Sequence, residues 1–273
     1  MDRFLFDEVL EDPAAYQAVL EIILDREIRL KENTQSEKEL RTLPAFRGIR
    51  LDVWGQDTDE AIYNSEVQQK NTRNLPRRMR FYQAVMDAGL LEPGCVDFNE
   101  LNDVYLIMIA PFDLFGLDRC VYTFRMKCDD VPDLSLGDGA VRMFLNTRGK
   151  KREGISQELL EFLDYMEHTN SVPSSALSSP RLERIRQRVE TVKSNEVSEV
   201  KYMQLWEEKV MDRLEAREEG RNEGRREGRS EGRREGIYLA KKALTLSGQG
   251  ISVTKIAKLL EISEEEVKRI VEE

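Results

Sequence analysis

The 273 residues include 52 acidic and 42 basic side chains, for a net charge of −10 and a mean hydropathy of −0.56. No apolar run approaches the length of a membrane span, and the acidic balance speaks against nucleic-acid binding through overall charge. The three cysteines, Cys95, Cys120 and Cys128, lack a C-x-x-C spacing, and the start MDRFLFDEVLED has no basic segment ahead of an apolar one, so reduced thiols and a cytoplasmic location are expected.

Met1 to Lys31 reads as helix, with Asp12 as N-cap, Pro13 at the first helical position, and Tyr16, Val19, Leu20, Ile23 and Leu24 as an apolar stripe that packs on a sheet. Residues 32–44 are polar and without a clear period, and read as a connection. The stretch GIRLDVWGQDTDEAIYNSEVQQK, Gly48 to Lys70, then alternates as a hairpin. Ile49, Leu51 and Val53 fall on one face and Arg50, Asp52 and Trp54 on the other. Gly55 to Glu60 forms the loop, and Ala61 to Lys70 returns with Glu66, Gln68 and Lys70 sharing a face. A turn closed around Asp57 and Thr58 sets Glu66 roughly diagonal to Asp52, about 7–8 Å away between backbones, where one divalent cation can bridge both carboxylates.

Asn71 to Gly89 continues as a helix with Pro76 in its first turn and Arg78 and Tyr82, four residues apart, on one face. Arg73, Arg77, Arg78 and Arg80 bring positive charge next to the acidic pair, a local answer to the negative total. VYLIMIA, Val104 to Ala110, is a strand buried on both faces in the middle of a sheet, stopped by Pro111. Arg119 to Met126 and Ala140 to Leu145 supply two more strands, and Ser156 caps a helix with the stripe Leu159, Leu160, Phe162, Leu163 and Met166. This order predicts an α/β domain over residues 1–167. His168 is the only histidine, which excludes a two-histidine metal site and disfavours a Ser-His-Asp mechanism.

Residues 168–180, HTNSVPSSALSSP, read as a linker, after which Arg181 to Glu219 forms one long polar helix with Leu182, Ile185, Val189 and Val192 on an i, i+3, i+4, i+7 path. The region 181–236 ends in Glu-Gly-Arg repeats, with Gly220, Gly224, Gly228, Gly232 and Gly236 every four residues. Each glycine costs about 1 kcal/mol relative to alanine, so the repeats are either a charged tether or a surface for a close partner helix. Residues 237–273 form a small helical tail in which a helix from Val253 to Leu260 and a second opened by Ser263 and Glu266 look like a helix-turn-helix pair. The second helix, EEEVKRIVEE, offers three glutamates where a base-reading helix carries Arg, Lys, Asn or Gln, so a packing module is expected and a DNA-binding regulator is disfavoured.

An acidic residue, a hairpin and Glu-x-Gln, succeeded in order by NLPRRMRFYQAVMD, VYLIMIAPFDLFG, RCVYTFRMKC, LSLGDGAVRMFLNT and LLEFLDYM, resemble the recombination-promoting nuclease and putative transposase family of the PD-(D/E)XK nuclease superfamily. The resemblance implies a restriction-endonuclease-like α/β core with a helical C-terminal extension. It implies a metal-dependent DNA endonuclease linked to recombination or transposition, with Mg²⁺ or Mn²⁺ held by Asp52 and Glu66. Asp52, Glu66, Gln68 and Lys70 would form the catalytic set, and Arg78, Arg80 and Tyr82 would contact DNA. Either Asp7 or Glu8 of the first helix could join the metal. Gln68 stands where the signature has lysine; it can hold a water but supplies no charge, which Lys70, one pleat further on, is placed to restore. The rival reading is a non-catalytic interaction or assembly protein that keeps the fold. On the nuclease reading the region past Ser179 is expected to be dispensable for the chemistry and to serve homo-oligomer formation; on the rival reading the tail mediates assembly.

Overall fold

The computed structural model describes residues 3–32, 34–40, 48–92, 94–169 and 179–272. It divides into a first unit, Met1–Tyr202, and a second, Met203–Glu273. The first unit is built on a six-stranded mixed sheet with helices on both faces, as the α/β reading requires.

The N-terminal helix is broken in two, α1 (Arg3–Leu10) and α2 (Pro13–Leu24). Pro13 keeps Asp12 out of the helical region, and the Asp12 carboxylate then caps α2 by accepting from the Ala15 N–H at 2.8 Å. Tyr16, Val19, Leu20 and Ile23 are buried as the stripe predicts, and Leu24 packs at its edge. Residues read as a connection contain instead a strand, β1 (Gln35–Leu40), pairing antiparallel with β2 (Ile49–Gln56). A polar edge strand gains its place through the backbone ladder, so QSEKEL carries no hydrophobic signal.

Strand β2 turns at Asp57 into β3 (Ile62–Val67), and β3 passes through α3 (Leu75–Asp87) to a parallel partner, β4 (Val104–Ala110). β5 (Val121–Phe124) and β6 (Ala140–Asn146) complete the order β1-β2-β3-β4-β6-β5, which puts VYLIMIA in the interior. Next, α4 (Gln157–Glu167) is capped by Ser156, whose Oγ accepts from the Leu159 N–H at 3.2 Å.

The linker expected at 168–180 lies mostly outside the described residues, but the helix beyond it is not separate from the domain. Helix α5 (Pro180–Lys193) buries Leu182, Ile185, Val189 and Val192 in the same core as α1, α2 and α4. Arg181 fastens it by donating to Glu21 at 2.9 Å and to Glu158 at 3.0 Å. The first unit therefore extends past Glu167. Ser194 and Asn195 end α5, so the single helix expected from Arg181 to Glu219 is two: α6 (Glu196–Gly248) begins afresh and runs through every glycine of the repeat.

In the second unit, the end of α6 packs with α7 (Val253–Leu260) and α8 (Glu264–Glu272) around Ala243, Ile256, Ala257, Leu260 and Val267. The capping box forms: Glu266 accepts from the Ser263 N–H at 3.0 Å, and Ser263 Oγ accepts from the Glu266 N–H at 3.2 Å. Among the described residues no helix is long and apolar enough to cross a membrane.

With α5 in the core, removal of everything past Ser179 would take away part of the first unit's packing. Leu182→Ala should destabilise the first unit by about 2–5 kcal/mol in denaturant melts, as a fully buried leucine does. A change below about 0.5 kcal/mol would mean that α5 is not part of the core.

Candidate active site

The site begins with an irregularity in β2. Side chains two apart in a strand share a face, yet Leu51 packs with Ile49 and Trp54 in the core against α3, whereas Val53 packs under α1 and α2. The alternation expected from the sequence breaks at Asp52. Across from it Glu37, at φ 50°, falls out of the β1–β2 ladder between the pairs Ser36–Val53 and Lys38–Leu51. The β2–β3 ladder ends at Val53–Ser65, so the next residues outward, Asp52 and Glu66, stand directly across from each other rather than on a diagonal.

Tyr16 of α2 holds this junction from below. Its hydroxyl lies 3.4 Å from the Val53 carbonyl and 3.2 Å from Ser65 Oγ, the neighbours of the two carboxylates. Gly55 makes room for the ring, since a Cβ there would come within 2.8 Å of Tyr16 Cε1.

Asp52 and Glu66 are each 4% exposed, and a third carboxylate, Asp7 of α1, is 8% exposed. Of the two first-helix candidates, Asp7 is thus the one buried beside Asp52, whereas Glu8 pairs with Lys201 at 3.1 Å. Arg3 links Asp7 and Asp52: its Nη2 donates to Asp52 Oδ1, and its Nε lies 3.6 Å from Asp7 Oδ2. Asp52 Oδ2 accepts from the Val67 N–H at 3.4 Å. Glu66 accepts from Asn64 Nδ2 at 3.3 Å and from Arg78 Nη2 at 3.1 Å, and Arg78 Nη2 also donates to Gln68 Oε1 at 2.8 Å. The Arg78 guanidinium lies 5.7 Å from the centre of the Tyr82 ring, as their i, i+4 spacing allows.

Burial dominates the electrostatics. It raises the Asp52 carboxyl, and burial together with the Asp52 charge raises Glu66 to about 7 and Asp7 to about 8. Asp7 Oδ1 is buried with no hydrogen-bond donor.

Two expected members stand elsewhere. The face shared by Glu66, Gln68 and Lys70 does not extend to Lys70, because β3 ends at Val67, where its partner β4 runs out ahead of Pro111. Gln68 still bonds the Ile109 carbonyl through its N–H at 2.9 Å, whereas Lys70 is exposed and offers its own carbonyl to Gln68 Nε2 at 2.8 Å. Arg80 is exposed on α3, two residues from Arg78 and so around the helix from it.

The family model of the PD-(D/E)XK nuclease family transposases matches residues 4–219. The chain belongs to that family. A comparison with curated proteins found no match. The matched span runs from α1 through α5 into α6 and stops just before Gly220.

Nucleases of the PD-(D/E)XK superfamily generally use divalent metals, and the donor chemistry here fits one: three buried carboxylates offer hard oxygens, and Asp7 Oδ1 has no other partner. As they stand, no three acidic, His or Cys side chains among the described residues are arranged to hold an ion. Arg3 occupies the space between Asp7 and Asp52, and Arg78 lies against Glu66.

A carboxyl whose folded pKa is raised favours folding below its unfolded value and loses that contribution as pH rises through the folded value. In EDTA, stability should therefore fall between about pH 4 and pH 8, and Asp7→Asn should raise the melting temperature most at the upper end of that window. Each kcal/mol gained appears as roughly 2–4 °C in a thermal melt. Identical pH profiles for the two proteins would refute the assignment.

Proposed function

We propose that this chain is a divalent-metal-dependent endonuclease that hydrolyses DNA phosphodiester bonds in recombination or transposition. The observation that carries the reading is the burial of Asp7, Asp52 and Glu66 at one sheet junction within the span matched by the family. These residues would hold Mg²⁺ or Mn²⁺; a bound ion lowers the pKa of its water and neutralises charge on the scissile phosphate.

The chain's own contribution is to orient water and phosphate. The Gln68 amide is held at both ends, by Arg78 and by the Lys70 carbonyl, yet keeps one lone pair and one N–H for a water. Arg78 supplies, beside Glu66, the positive charge that glutamine lacks, so we assign to it the part that the sequence suggested for Lys70. Tyr82 flanks that guanidinium, and the exposed Arg73, Arg77 and Arg80 of the same region would attract the DNA backbone.

The decisive assay is plasmid DNA incubated with the protein in Mg²⁺, Mn²⁺ or EDTA. Cleavage should require metal and be abolished by Asp52→Ala or Glu66→Ala in folded protein. Arg78→Ala should slow it by about 10–100-fold, the usual effect of losing a residue that orients the ligands. Lys70→Ala should cleave at the wild-type rate. Absence of cleavage under both metals would favour the non-catalytic reading, which the glutamine at position 68 keeps in view.

We further propose that α6 brings copies of the chain together. Met203, Trp206, Met211 and Leu214 are exposed along it. In the repeats, Glu219, Glu223, Glu227, Glu231 and Glu235 recur every four residues, and so do Arg221, Arg225, Arg229 and Arg233. Within one helix such like charges repel by about 0.2–0.5 kcal/mol per pair, whereas a second copy can set its arginines against the glutamates. Light scattering should give a mass above one chain, reduced to one chain by Trp206→Glu. A monomeric wild-type protein would exclude this role.

A further inference from the structure

We propose that Arg3 is a built-in counterion of the carboxylate site, which a divalent cation must displace in order to bind. The inference rests on the metal-site reading above. Arg3 is the first described residue of α1, and its side chain touches carboxylates from two different elements, Asp7 of the helix and Asp52 of β2. The Asp52 oxygen it takes, Oδ1, is the one that no backbone N–H occupies; Oδ2 already accepts from Val67.

The two arginines of the site are not equivalent. Arg78 is 27% exposed, is bonded to Gln68 as well as Glu66, and lies beside Tyr82, so it is held whatever happens at the carboxylates. The Arg3 side chain is 47% exposed, and its ion pairs are with Asp52 and Asp7. A cation at a helix N-terminus is also opposed by the positive end of the helix dipole, so the carboxylates must account for its position.

Charge balance points the same way. Counted with all three carboxylates ionised, the state in which they can ligate a cation, the two guanidinium groups leave a net −1. A divalent ion that replaced Arg3 would bring the sum to zero with Arg78 alone, whereas one bound beside both arginines would leave +1. Exchange rather than addition is the neutral arrangement, and buried sites disfavour uncompensated charge.

The test is calorimetric titration of Mn²⁺ into full-length wild-type protein, Arg3→Lys and Arg3→Gln. Removing the competitor should tighten Mn²⁺ binding by about 5-fold or more in Arg3→Gln, with Arg3→Lys between it and wild type. Thermal melts supply the second readout. In EDTA Arg3→Gln should melt below wild type, because its carboxylates have lost their counterion, and saturating Mn²⁺ should remove the difference. Equal or weaker Mn²⁺ affinity in Arg3→Gln, or a melting deficit that Mn²⁺ leaves in place, would overturn the proposal and leave the metal site standing. No Mn²⁺ uptake by any of the three proteins would overturn both readings.

Discussion

Three carboxylates withdrawn from water at one sheet junction are tolerable only with counter-charge, and Arg3 and Arg78 provide it from opposite sides. The surrounding structure serves this arrangement. The break in β2 turns Asp52 so that it meets α1 as well as Glu66, and Tyr16 fixes the residues next to both acids. Gly55 lets that ring come close. Raised carboxyl pKa values are the electrostatic signature of such a site, which stores unfavourable charge that a ligand can relieve.

The parts of this arrangement that were legible in the sequence are those set by neighbours along the chain. Asp12-Pro13 fixes a helix start, VYLIMIA reads as an interior strand, and a short polar loop between two strands brings Asp52 near Glu66. That Asp7 and not Glu8 is buried beside Asp52 was not legible, because it depends on how α1 is rotated against the sheet. The same limit applies to Lys70. Period-two reasoning carries a face onward only while the strand lasts, and β3 lasts only as long as β4 accompanies it. Arg78 then reaches the position from a different element, a convergence that only tertiary packing creates.

The surface that α5 covers was hidden for a related reason. The path Leu182, Ile185, Val189 and Val192 is a clear apolar stripe, but a stripe does not name the surface that covers it. The Ser/Pro-rich stretch before it suggested departure, whereas α5 returns to α1 and α2. Conversely, β1 is a true part of the sheet with almost no sequence signature, because its contribution is backbone pairing at an edge. The glycine repeats show what a period means once the helix is known. At 100° per residue a four-residue step advances by about 40°, so the fifth glycine lies roughly 160° from the first. The glycines therefore wind around α6 instead of forming one flat stripe, and none has a neighbour where a Cβ would be. The Glu and Arg rows wind with them, which makes charge, more than close glycine packing, the feature a partner helix would read.

A net charge of −10 sits uneasily with a DNA substrate only if charge acts over the whole molecule. At physiological salt the Debye length is about 8 Å, so acidic groups elsewhere on the surface are largely screened from a strand lying at the site. The charges in the repeats largely cancel within a few residues, and three of the acids at the site are matched by arginines or would be matched by metal. What the same stretch of chain offers to solvent is Arg73, Arg77 and Arg80, exposed on the approach to α3 and on its first turns. On the proposed reading, contact with DNA would be a matter of a few local cations by a desolvated acidic centre, and its salt dependence would reflect that small number rather than a broad basic surface.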